Sequence, residues 1–158
     1  MSDEGTLYCT FQASGRLFGV PLSDIKEITA EIHCNKIPHA PECVRGYVNI
    51  RGQIVLGVDL KRILNLPSLE GPSSNRLVIF KPVIGPAFGL LVDNIGEIES
   101  VSGVNLVSTE PTPPGLPVPG PGNLIEHVCR LPTQLLVILN PRKFLPIIEN
   151  ERSKTSTR

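Results

Sequence analysis

Short apolar runs rich in Ile, Leu and Val recur along this chain, separated by clusters of Gly, Ser, Asn and Pro. That pattern predicts strands joined by turns. Residues 7–11 (LYCTF) and 17–20 (LFGV) read as a strand pair around a Ser14-Gly15 turn. Ser23-Asp24 marks a short helical turn before Ile25-Lys26-Glu27-Ile28. Residues 36–41 hold too much proline for a helix interior and predict an extended connector. A second hairpin runs through residues 48–60, VNIRGQIVLGVDL, turning at Arg51-Gly52, and residues 61–64 read as a short helical end. The polar stretch 67–75 is a divider.

After the divider the pattern starts again. FGVPLSDIKEI, from Phe18, aligns without a gap on FGLLVDNIGEI, from Phe88. IVLGVDLKRIL, from Ile54, aligns on LLVILNPRKFL, from Leu135, each an apolar run followed by Asp or Asn, one residue, two basic residues, an apolar residue and Leu. Two echoes in the same order predict a duplicated unit of about five short strands. A sheet that small leaves its edges and one apolar face open. Closing each half into a small barrel and packing the barrels together hides both. The expectation is an all-β protein of two barrels, residues 7–70 and 75–147, with a shared apolar interface, a groove between them, and a disordered polar tail at 148–158.

The bulk numbers narrow the function. The chain has 158 residues, 41% hydrophobic but only 4% aromatic, and its 15 Lys plus Arg balance 15 Asp plus Glu. No global charge is left to hold a polyanion, which argues against a nucleic-acid partner. No segment reaches the roughly 18 apolar residues of a membrane span, and MSDEG lacks the basic start of a signal peptide. A cytoplasmic protein without direct membrane insertion is the simplest expectation. Four scattered cysteines then read as free thiols.

The candidate chemistry is thin. His33, Cys34, His39 and Cys43 are zinc donors, but at irregular spacing, broken by Pro38 and Pro41, and without a C-x-x-C pair. His127 and Cys129 are two apart, which on a strand places both on one face, yet no third orienting group accompanies them. Asp59 and Asp93 end apolar runs, where a short polar side chain bonds to backbone more readily than it serves as acid or base. No metal, cofactor or catalytic set is expected. Residues 111–123, PTPPGLPVPGPGN, predict a stiff surface loop, with Pro114 and Pro117 as a PxxP alternative for a partner protein. Glu27 reads as the polar rim of a contact anchored by Ile25, or as an edge-strand charge. Arg51 is a turn residue or a partner-binding arginine held by two strands.

Laid out in this order, the landmarks FGVPLSDIKEI, IPHAPECVRGYVNIRGQIVLGVDLKRIL, FGLLVDNIGEI and LLVILNPRKFL resemble the CheW-like family of chemotaxis coupling proteins. The resemblance spans residues 7–145. It implies a pair of SH3-like five-stranded barrels and a non-catalytic adaptor that couples a methyl-accepting chemoreceptor tip to the regulatory domain of a CheA-type histidine kinase, in chemotaxis or a related motility pathway. Carried over by position, the receptor-binding residues are Ile25, Glu27 and Arg51, with Val92 and Ile95 from the second half. Gly46 and Gly52 match family glycines at tight turns near the partner surfaces. Two departures stand out: His127 occupies a position that is commonly glycine, and the 111–123 stretch is unusually rich in proline. The alternatives are a CheW-like module for another regulator and a cysteine–histidine enzyme.

Overall fold

A computed structural model describes residues 5–30, 33–67, 75–82, 87–101, 116 and 123–156, the side chains of 151–156 excepted. The loop 111–123 therefore lies outside the described residues save for Leu116 and Asn123, and the PxxP reading of Pro114 and Pro117 with it.

Eleven strands form along the described chain. They are β1 (Thr6–Ala13), β2 (Arg16–Pro21), β3 (Ile25–Thr29), β4 (Cys34–Asn35), β5 (Val44–Ile50), β6 (Gln53–Asp59), β7 (Arg76–Phe80), β8 (Phe88–Val92), β9 (Asn94–Val101), β10 (Ile125–Arg130) and β11 (Leu135–Leu139). A short helix α1 (Leu60–Ile63) follows β6, and α2 (Phe144–Ser156) follows β11 after a 3-10 turn at Pro141–Lys143. The fold is all-β, in two sheets.

The sheets do not follow the two halves of the sequence. One has the order β10-β11-β2-β1-β9, the other β3-β7-β8-β6-β5-β4. Each therefore takes the first two strands of one half and the last strands of the other. The expected division into 7–70 and 75–147 is corrected: β1 and β2 belong with β9 to β11, while β7 and β8 belong with β3 to β6. The echoes explain the exchange. FGVPLSDIKEI forms β2, a 3-10 turn and β3, and FGLLVDNIGEI forms β8 and β9, so each copy crosses from one sheet to the other. The parallel pairs β2·β11 and β8·β6 join the repeats in the same way. The bulges correspond too, between Cys9 and Phe11 against β9 and between Ile25 and Glu27 against β7.

Burial alternates with the strand period, but both faces are apolar. In β7, Leu77 and Ile79 join a cluster with Val48, Val55 and Leu91, while Val78 and Phe80 join the large central one. In β11, Leu136 and Ile138 pack with Leu17, Val101 and Cys129, while Val137 and Leu139 turn to the centre. Each sheet thus curls around its own small core, and the central cluster, with Phe11, Phe18, Val58, Phe88 and Leu90, seals one barrel against the other. Runs buried on both faces read as continuous hydrophobic stretches, as in LLVIL.

The tail also departs from expectation. Helix α2 continues through Ser156, with Ile148 buried and Phe144 set against Phe88 at 6.3 Å between ring centroids. Residues 148–156 are helical rather than disordered, because Phe144 and Ile148 recur at i, i+4 and cover the central core.

Candidate functional site

The hairpin between β5 and β6 turns at Arg51 and Gly52, both with positive φ (49° and 87°), between the paired residues Ile50 and Gln53. This two-residue turn has the twist that continues antiparallel strands. Gly52 adopts it without cost, and the amide of Gly52 donates to Asn49 Oδ1 at 2.9 Å. Arg51 spends unfavourable backbone geometry to stand at the tip. Its guanidinium bonds the carboxylate of Glu27 on β3. Beside it, Lys26 Nζ donates to Gln53 Oε1 at 2.9 Å.

These bonds close the barrel. In the sheet order β3 is separated from β6 by β7 and β8, so contact between β3 and the β5–β6 tip requires the sheet to curl through most of a turn. The result is a cleft of about 140 Å³ with Ile50, Val55 and Ile79 at its floor and the charged side chains at its rim. The Arg51 side chain is 73% exposed and that of Glu27 22%. A pair so open to water contributes about 0–1 kcal/mol to stability. Stability alone therefore does not account for a left-handed arginine held in this place.

The structure thus brings Glu27 and Arg51 together. Ile25, at the start of β3, is partly buried and packs on the central core, as does Ile95 on β9. Val92 is only 1% exposed, a core residue at the end of β8, which corrects its assignment as a contact residue. None of these three lines the Glu27–Arg51 cleft. Lys26 and Gln53 complete the rim; both lie within the landmark stretches FGVPLSDIKEI and VNIRGQIVLGVDL but were not singled out there, and Gln134 holds the place of Gln53 in the second repeat.

Gly46 and His127 occupy the same place in the two repeats. Gly46 has φ 138° at a bulge in β5, and a Cβ there would collide with the backbone carbonyl of Asn35 on β4. Strand β4 pairs with β5 and so presses on that position. His127 lies on β10, which is an edge strand, and its side chain is exposed. The second repeat accepts a histidine because no described strand covers it.

The remaining candidates are structural. Asp59 Oδ1 accepts from the Lys61 amide at 3.0 Å and caps α1, and its Oδ2 pairs with Arg45 at 3.0 Å. Asn140, its counterpart, accepts from the Arg142 amide at 3.1 Å. Asp93 accepts from the Ser14 amide at 3.1 Å and faces Lys61 Nζ at 3.0 Å. His127 is exposed whereas Cys129 is wholly buried, so the strand does not present them as a pair. Burial raises the Cys9, Cys34 and Cys129 thiols above their ordinary pKa, with Arg45 partly opposing the rise at Cys34. A protonated, desolvated thiol is a poor nucleophile. Among the described residues no group of three His, Cys, Asp or Glu side chains is placed to hold a metal ion.

A family profile described as "CheW-like domain" matches residues 7–149. The chain is 29% identical over 113 residues to the "Chemotaxis protein CheW" of Rhizobium meliloti (strain 1021), covering 72% of this chain and 70% of that protein. It is 26% identical over 146 residues to the protein of the same name from Treponema pallidum (strain Nichols), covering 90% and 84%. In three dimensions it superposes on the "scaffolding protein TtCheW" of Thermoanaerobacter tengcongensis with a TM-score of 0.70 at 23% identity, covering 86% of this chain and 89% of that one, a likeness of fold. With the double barrel, the duplicated landmarks and the matched span all in agreement, the chain belongs to the family of CheW-like domains.

Proposed function

We propose that this chain is a non-catalytic scaffold of a chemotaxis-type pathway, coupling a chemoreceptor tip to the regulatory domain of a CheA-type histidine kinase. Relatives over most of its length carry the name chemotaxis protein CheW. The observation that carries the site is the Glu27–Arg51 pair: an arginine held in a strained turn, bonded across the barrel to a carboxylate, above an apolar floor. Apolar floor with charged rim is the composition of a protein contact. Ile25, two residues before Glu27 on β3, and Ile95, at the corresponding place on β9, are the further contact residues of this reading, outside the cleft itself. Gly46 and Gly52 keep the turns beside it tight.

The test is a titration of the purified chain against the kinase regulatory domain and against a receptor-tip fragment from the same genome. Both should bind saturably. Arg51→Glu should weaken receptor binding by about tenfold or more, the loss expected for a charged contact, while circular dichroism and kinase binding stay unchanged. Absence of binding to either partner would reject the adaptor reading. Unchanged receptor binding in Arg51→Glu would leave the adaptor reading standing and return Arg51 to the role of a turn residue.

A further inference from the structure

Lys26 and Gln53, at the rim of the Glu27–Arg51 cleft, decide what a partner must bring to it. Lys26 Nζ lies 2.9 Å from Gln53 Oε1. An ammonium donates and never accepts, so the carboxamide oxygen of Gln53 faces Lys26 and its NH2 group points away from it. The other acceptor of the rim is engaged in the same manner, since the largely buried Glu27 carboxylate takes the Arg51 guanidinium. Lys26, Gln53 and Arg51 are all exposed. What they show to solvent is therefore donors: the remaining hydrogens of the ammonium, the Gln53 amide and the N–H groups of Arg51 that Glu27 does not take.

Charge points the same way. Lys26 has a neutral partner, so among the described residues the cleft is lined by two cations and one carboxylate. Residues 83–86, which lead into β8 beside β6, are Val, Ile, Gly and Pro and carry no charge. Segments 31–32 and 68–74 adjoin Ala30 and Asn75, which border the other opening of this barrel. The second repeat builds no such rim, because Gly96 and Pro132 stand where Lys26 and Arg51 do.

We propose that Lys26, steadied by Gln53, is a specificity-determining residue of this cleft: together with Arg51 it takes one Asp or Glu side chain of the receptor tip. An apolar neighbour of that side chain covers the floor at Ile50, and so keeps water from the ion pair. The inference rests on the adaptor reading and names the chemistry that its site recognises. Charge-assisted hydrogen bonds to a carboxylate are the strong ones, and Arg51 adds a planar fork to the point charge of Lys26. The bond to Gln53 holds a long side chain in place before the partner arrives, which reduces the entropy lost on binding.

Calorimetric titration of a receptor-tip fragment into the purified full chain tests this. Lys26→Gln should weaken binding about threefold or more, and Lys26→Arg should restore most of the loss. Replacing the acidic residues of the fragment by their amides, one at a time, should find one that costs about tenfold with the unaltered chain and about threefold or less with Lys26→Gln. Equal losses in the two chains at every acidic position would show that Lys26 reads none of them. That result, or full affinity in Lys26→Gln, would overturn the proposal and leave the adaptor reading intact. No binding of the fragment to the unaltered chain would reject both. Should Lys26→Gln fail to fold, Gln53→Glu decides: it gives Lys26 a carboxylate of its own and should weaken binding by a similar factor, and unchanged affinity would overturn the proposal.

Discussion

The two barrels come from one repeated unit, yet they carry different residues at corresponding positions. In strand order they are the same: β10-β11-β2-β1-β9 corresponds strand for strand to β5-β6-β8-β7-β3. Even the caps correspond, with Asp59 after β6 and Asn140 after β11. The β3–β8 barrel carries charge at both of its openings, Glu27 with Arg51 at one cleft and Arg45, Asp59, Lys61 and Arg76 at another. The other barrel has Pro132 in the place of Arg51, Glu126 in that of Arg45 and Leu7 in that of Arg76. Its Glu126 bonds Asn140 at 3.2 Å, a single hydrogen bond where the first barrel has an ion pair. A shared fold therefore fixes where a side chain stands, while the residue placed there decides whether the position carries an ion pair, a hydrogen bond or an apolar group.

The sharpest way to break this comparison is at Gly46 and His127. Gly46→His should destabilise the protein by about 3 kcal/mol or more, because the side chain meets the Asn35 carbonyl in a backbone conformation that L residues rarely adopt. His127→Gly should cost about 0.5–1 kcal/mol, the entropy of a strand glycine. Urea unfolding measures both, and similar costs at the two positions would mean that β4 does not press on β5.

The caps come next. Asp59→Ala removes a helix cap and the partner of Arg45 from a side chain only 6% exposed, and should cost about 2–4 kcal/mol. Asn140→Ala loses a cap and one hydrogen bond to the Glu126 carboxylate but no ion pair, and should cost about 1–2 kcal/mol. Equal losses would show that the charge at Asp59 adds nothing to the cap. Smaller still is Glu27→Gln, which should change stability by less than about 1 kcal/mol while loosening Arg51; a larger shift in the unfolding midpoint would make the pair structural.

The smallest effect is in pH. Cys9 and Cys129 belong to the β1–β2, β9–β11 barrel and Cys34 to the other, and burial raises all three thiols above 9.0. On unfolding they ionise at the ordinary value, so the unfolded state binds fewer protons above that pH and stability falls as pH rises further. Cys9→Ser with Cys129→Ser should flatten this alkaline loss more than Cys34→Ser does, as followed by unfolding midpoints on either side of 9.0. An alkaline slope unchanged in the double variant would remove the buried thiols as its cause.

Sequence alone determined the local grammar of this protein. Ser14-Gly15 and Arg51-Gly52 announce tight hairpins because few residues accept positive φ. Strand-length apolar runs announce strands, the two echoes announce the duplication, and Asp59 at the end of its run announces a cap. All of these rest on interactions a few residues long. The family resemblance pointed to Glu27 and Arg51, but only the tertiary structure showed them bonded across a closed barrel. It also decided what depends on partners far apart in the chain: that the halves exchange strands, that Val92 is core rather than surface, and that β4 forbids at Gly46 the side chain allowed at His127. Apolar alternation says that a face must be buried and is silent on what buries it, so either partner sheet satisfied the pattern until the long-range pairing of β2 with β11 and of β6 with β8 chose between them.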